Sequence, residues 1–127
     1  MIGKLLALAA SIGIAGAALA CGACVEDKVA ATYDHAVVTA ALAERHVVVF
    51  AAIEGRGNPK SLAIDAKKAA MRIGGVDAKS IRSAHEPAPA LSFSIDPGKQ
   101  SPQQALTAIE SSVGRKPMKL TLLQVIR

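Results

Sequence analysis

The chain has no tryptophan, one tyrosine, two phenylalanines and two cysteines among 127 residues. So few aromatics leave no stacking platform for single-stranded nucleic acid. The formal charge of +5 therefore reads as ordinary surface solvation rather than a nucleic-acid footprint. Two cysteines are too few for a disulfide scaffold. There is no internal repeat, phosphate-cradling glycine loop, nucleophile–base pair or zinc-hydrolase signature. An enzyme is not expected.

What is present begins with a leader. Lys4 supplies one positive charge, residues 5–19 are uncharged and mostly apolar, and Ala18-Leu19-Ala20 closes the run. A basic start, a short apolar stretch and an A-x-A end describe a secretory signal peptide over residues 1–20, with Cys21 at the mature N-terminus and a periplasmic or secreted location. Two alternatives stay open. Uncut, the 21 uncharged residues 5–25 would just span a bilayer. Lipidation of Cys21 would anchor the chain and consume its sulfur. Otherwise no membrane partner is expected. Removing Lys4 with the leader leaves 107 residues and a charge of +4, enough for one domain.

Residues 24–45 show an apolar stripe at helical spacing, Val25, Val29, Tyr33, Ala36, Val37 and Ala40, which predicts one helix. Residues 46–53 are apolar at both parities and predict a central strand covered on both faces. Asn58 before Pro59 is an N-cap with proline at N1. The helix that follows carries Leu62, Ala66, Ala69, Ala70 and Ile73 on one side and ends at Gly74-Gly75. Strands are predicted over 78–85 and 90–95. In the second, Leu91, Phe93 and Ile95 alternate with Ser92 and Ser94, so one face is buried and the other more polar. Ser101-Pro102-Gln103-Gln104 is a capping box for a helix bearing Leu106, Ile109 and Val113, closed by Gly114, and 118–126 is the last strand.

The predicted class is α+β, a ferredoxin-like βαββαβ sandwich over residues 46–127 preceded by an extra N-terminal helix within 21–45. That helix must bury its stripe, and the open sheet face near Val48, Phe50, Leu123 and Val125 is the place for it.

Residues 75–111 carry Gly75-Val76, Asp96-Pro97, Ser101-Pro102 and Ala108-Ile109-Glu110 in order. In this the stretch resembles the second half of heavy-metal-associated domains. There a Gly-Val opens a strand, a hairpin leads to a strand ending in Asp-Pro, and a Ser-Pro helix contains Ala-Ile-Glu. The resemblance implies the ferredoxin-like fold and a link to soft-metal handling. The metal motif of that family, Gly-Met-x-Cys-x-x-Cys after the first strand, corresponds to residues 54–59, where no thiol occurs.

The chain's own CxxC, Cys21 and Cys24, lies upstream instead. Cys24 stands at a helix start, where the dipole favours thiolate, while Glu26 and Asp27 oppose it. Two soft sulfurs suit Cu(I); zinc fits less well because it wants four ligands. His35 lies about three turns along, too far to complete the site. A local disulfide across this four-residue loop would gain only about 2 kcal/mol. Thiol–disulfide exchange usually places CxxC between a strand and a helix, and no strand precedes Cys21. The expected function is soft-metal binding, Cu(I) foremost, through Cys21 and Cys24, for buffering or handover to a metal-handling partner. The alternatives are an interaction module with a local disulfide and a thiol–disulfide redox protein. The histidines are expected at the surface or at strand ends, with neighbours Asp34-His35 and His85-Glu86 pointing apart. Arg56 and Lys60 beside the helix start at Asn58 suggest a weak anion site.

Overall fold

The computed structural model describes residues 24–114 and 117–127. The leader, its cleavage site and Cys21 lie outside them.

The fold is α+β, a four-stranded antiparallel sheet with helices on both faces, consistent with a ferredoxin-like sandwich. The elements are α1 (Val25–Thr32), α2 (His35–Ala43), β1 (Val47–Gly55), α3 (Pro59–Ala70), a 3-10 turn (Ala78–Ser80), β2 (Arg82–Ala84), β3 (Ala90–Ile95), α4 (Pro102–Ser112) and β4 (Met118–Ile126). The sheet order is β2-β3-β1-β4.

Strand β1 is central and buried on both faces, as its unbroken apolar run requires. Its odd residues Val49, Ala51 and Ile53 face α3 and α4 and join Leu62, Ala66, Leu91, Phe93, Ile95, Leu106 and Ile109 in the main core. Its even residues Val48 and Phe50 face α1 and α2 and form a second cluster with Val38 and Ala41. Asn58 Oδ1 accepts from the Lys60 and Ser61 amides and starts α3 behind Pro59 at N1. Ser101 and Gln104 form the reciprocal capping box of α4, and Gly114 at φ +88° follows its end.

Four expectations are corrected. Residues 24–45 are two helices, because the Asp34 carboxylate accepts from the Ala36 and Val37 amides and starts a new N-terminus. The restart shifts the helical phase. Val38 and Ala41 are buried, whereas Ala36, Ala40 and Tyr33 are exposed. The region predicted as a strand over 78–85 opens with a three-residue 3-10 turn, leaving only three residues in β2. There the Asp77 side chain takes the Lys79 amide, and Ser80 Oγ accepts the Ser94 amide at 2.7 Å in place of a ladder bond.

Ser92 and Ser94 are buried, not solvent-facing, because α1 and α2 cover their side of the sheet. Ser92 Oγ donates to the Thr32 carbonyl at 3.1 Å, which joins the two layers. Finally, Val125 belongs to the main core rather than lying beside Leu123 on the outer face. An irregularity in β4, where Phe50 faces Gln124 but Ala51 faces Leu122, inserts Leu123 as an extra residue and reverses the parity beyond it.

The link from α2 into β1 is a Schellman turn. His46 N donates to Ala41 O at 2.8 Å and Arg45 N to Leu42 O at 3.1 Å, with Arg45 at φ +62° in the position usually given to glycine.

Candidate functional site

Cys24 is the N-cap of α1, in extended backbone at φ −74° and ψ 164°. Its thiol takes the place a serine hydroxyl occupies in a capping box, facing the Asp27 amide. The Asp27 carboxylate accepts from Cys24 N at 3.4 Å. The residue is half-buried. Its sulfur thus sits at the amide end of α1, while Glu26 and Asp27 bring carboxylates into the same first turn. Cys21 lies outside the described residues.

The three histidines stand in separate local settings. His35 lies 3.5 Å from Tyr33 Oη through Nδ1 and 3.5 Å from Thr39 Oγ1 through Nε2. His46 Nδ1 is buried without a hydrogen bond, 3.6 Å from the Glu44 carboxylate. His85 Nε2 is 3.9 Å from Glu86 Oε1, so this pair does not point apart: both residues are at the exposed tip between β2 and β3. Among the described residues no three His, Cys, Asp or Glu side chains converge as a metal-holding group.

The loop after β1 carries no thiol and is closely packed at its start. A Cβ on Gly55 would meet Leu62 Cδ2 and the Pro117 carbonyl at 3.1 Å each, so close packing against α3 and β4 favours glycine there. Glu54 Oε1 accepts from Thr121 Oγ1 at 3.0 Å. Beside the loop lies a shallow depression of about 350 Å³ between Arg56 and Lys119. The Lys60 and Ser61 amides already donate to Asn58, so an anion held by Arg56 and Lys60 would not find them open.

Two further hollows flank the outer helices. One, of about 250 Å³, runs between α2 (Ala36, Val37, Ala40) and the 3-10 turn (Asp77, Lys79, Ser80). Its polar groups hold the fold: Ser80 Oγ donates to Asp77 O at 2.6 Å and accepts from Ser94 N. The other, of about 350 Å³, lies along α1 between Glu26, Val29, Ala30 and Tyr33 and the Gln124 end of β4. Tyr33 stacks near-parallel on Phe50 at 6.4 Å between centroids yet remains 46% exposed, and Val25 is 50% exposed.

Asp34 also receives Arg82 Nε at 3.1 Å, which ties α2 to β2. The Val37 amide, and next the Arg82 guanidinium, hold the Asp34 carboxyl below its ordinary value. The sequence reading missed this pair; the signal for Asp34 was an N-cap residue directly before Ala36-Val37-Val38, whereas nothing local points to Arg82.

No family model, curated protein or solved structure matches this chain. The fold class rests on the architecture itself.

Proposed function

We propose that the protein is an exported, non-enzymatic module that binds a soft metal ion, Cu(I) in preference to zinc, through Cys21 and Cys24, and buffers it or hands it to a metal-handling partner. The observation that carries this reading is the position of Cys24 as N-cap of α1, half-buried at the amide end of a helix packed on the sheet. Helix amides favour the thiolate form that ligates metal. A second thiolate three residues upstream completes the low-coordinate sulfur set that Cu(I) accepts. The likeness of residues 75–111 to heavy-metal-associated domains supports the same class, with the ligands moved from the loop after β1 to the mature N-terminus.

The reduced, processed protein is expected to take one Cu(I) per chain in competition with a chelator. Cys21→Ser and Cys24→Ser should each weaken it by more than about 100-fold, beyond the 10–100-fold typical of losing a supporting group. His35→Ala, His46→Ala and His85→Ala should leave affinity unchanged. Equal affinity in the parent and the double-serine protein would overturn the reading. An intact mass taken first reports cleavage after Ala20, acylation and disulfide state together.

The second reading is an interaction module whose cysteines form a local disulfide. The exposed Tyr33 lining the α1 hollow, with Val29 and Ala30, favours it. A mass two hydrogens below the reduced value, with no copper uptake after reduction, would select it.

A further inference from the structure

The sheet separates two helical layers of opposite charge. Residues 25–45, the outer layer and its exit, carry four carboxylates (Glu26, Asp27, Asp34, Glu44) against Lys28 and Arg45, with Asp34 paired to Arg82. Residues 59–72, α3 and its exit, carry Lys60, Lys67, Lys68 and Arg72 against Asp65. Among the described residues none of these four cations enters an ion pair. Beside α3, the exposed side chains of α4 are uncharged: Gln103, Gln104, Thr107 and Ser111.

Helix geometry arranges the cations around an apolar ridge. At about 100° per residue, Ile64 and Met71, two turns apart, share one line down the exposed side of α3. Lys60 and Lys67 flank it on one side, Lys68 and Arg72 on the other. Ile64 is 43% and Met71 53% exposed, although the opposite side of α3 is fully used in the core through Leu62, Ala66, Ala69 and Ala70.

We infer that this side of α3 is a docking surface for an anionic phospholipid bilayer. Charge complementarity selects the partner: a cationic strip broken only by Asp65, beside an α4 whose one acid, Glu110, is engaged by the Leu120 amide, and backed across the sheet by an acidic layer, turns the molecule basic side down in a negative surface potential. The ridge separates a bilayer from a nucleic acid. Ile64 and Met71 can enter the headgroup boundary while the flexible lysine stems on both sides reach lipid phosphates. Because the rest of α3's apolar surface is committed to the core, the contact is peripheral, reversible and salt-sensitive. Docked this way, Cys24 in the outer layer lies on the side of the sheet away from the bilayer.

The processed protein should co-sediment with phosphatidylglycerol/phosphatidylethanolamine vesicles and not with phosphatidylcholine vesicles, and about 0.5 M NaCl should release it. The Lys67→Gln, Lys68→Gln protein should bind roughly 10- to 30-fold more weakly, since each basic side chain near an anionic surface contributes severalfold. Ile64→Ser, Met71→Ser should weaken binding with its salt dependence retained. All four positions are exposed, and unchanged thermal melts show that the variants fold. Failure to bind anionic vesicles, equal binding to both vesicle types, or parental binding by the lysine variant would each overturn the inference. So would a salt-sensitive oligomer in the absence of vesicles that the lysine variant loses, which would assign the strip to the acidic layer of a second copy.

Discussion

One carboxylate decides the path of the chain between α1 and α2. Asp34 Oδ1 accepts from the Ala36 and Val37 amides and its Oδ2 from Arg82, so a single side chain breaks the helix, restarts it and fastens it to β2. Its pKa is lowered, by the Val37 amide first and the Arg82 guanidinium next. A carboxyl with a depressed folded pKa contributes stability above its unfolded value, near 3.8, and loses it as pH falls through the lower folded value. Asp34→Asn keeps a capping oxygen but removes the charge. The variant should therefore show a lower urea midpoint at neutral pH and a smaller drop on acidification below about 4 than the parent. Parallel midpoint curves for the two proteins would show that the charge of Asp34 adds nothing. Cys24 is the companion case. The sequence locates it at a helix start, and the structure adds that its thiol faces the Asp27 amide.

Elements whose local chemistry and tertiary role agree were legible. Proline at N1 behind Asn58 and Ser101 marks α3 and α4, and the unbroken apolar run of β1 marks a central strand. The failures lie where a side-chain bond competes with the regular pattern. Asp34 divides a helix whose apolar stripe looked continuous, and Asp77 with Ser80 turns the first three residues of a predicted strand into a 3-10 turn. Parity was lost at the inserted Leu123, although the sequence marks it: Met118, Leu120 and Leu122 alternate with Lys119 and Thr121, and after Leu123 the polar place passes to Gln124 and the apolar one to Val125. The edge of β4 holds another such bond. Glu110 of α4 accepts the Leu120 amide at 2.7 Å, and β4 has only β1 beside it. The carboxylate thus covers an amide on the open side of a nine-residue strand, which would otherwise template pairing. Glu110→Ala should cost about 1.5–3 kcal/mol, the range for a hydrogen bond to a charged group, and raise the tendency to self-associate at high concentration. Urea unfolding and light scattering measure the two effects. A stable, strictly monomeric variant would mean that the rest of β4 already protects its edge.

At the scale of the whole molecule, α1 and α2 are a layer of the fold rather than an appendage to a six-element sandwich. Read from sequence, Ser92 and Ser94 marked a polar sheet face. In the molecule both are 2% exposed and Phe50 is 1% exposed on that side, beneath Val38, Ala41 and Tyr33. The Ser92 hydroxyl meets the Thr32 carbonyl, so even the polar content of that face is paired with the outer layer. A chain reduced to residues 46–127 would expose Val48 and Phe50 to water, and fully exposing such side chains costs about 1.5–3 kcal/mol each. For a domain of this size each kilocalorie moves the melting temperature by about 4–8 °C. The shortened chain should melt at least about 10 °C lower than one beginning at Cys24, or self-associate through the bared face; thermal melts with size-exclusion chromatography distinguish these outcomes. The chain beginning at Cys24 keeps the α1 cap and both outer helices, and should melt within a few degrees of a chain beginning at Cys21. If residues 46–127 instead gave a monomer of unchanged melting temperature, the sandwich would be self-sufficient and the outer layer would serve only to carry the thiol. The opposite result would couple Cys24 to the sheet, so that a change at the thiol is felt through α1 by the fold itself.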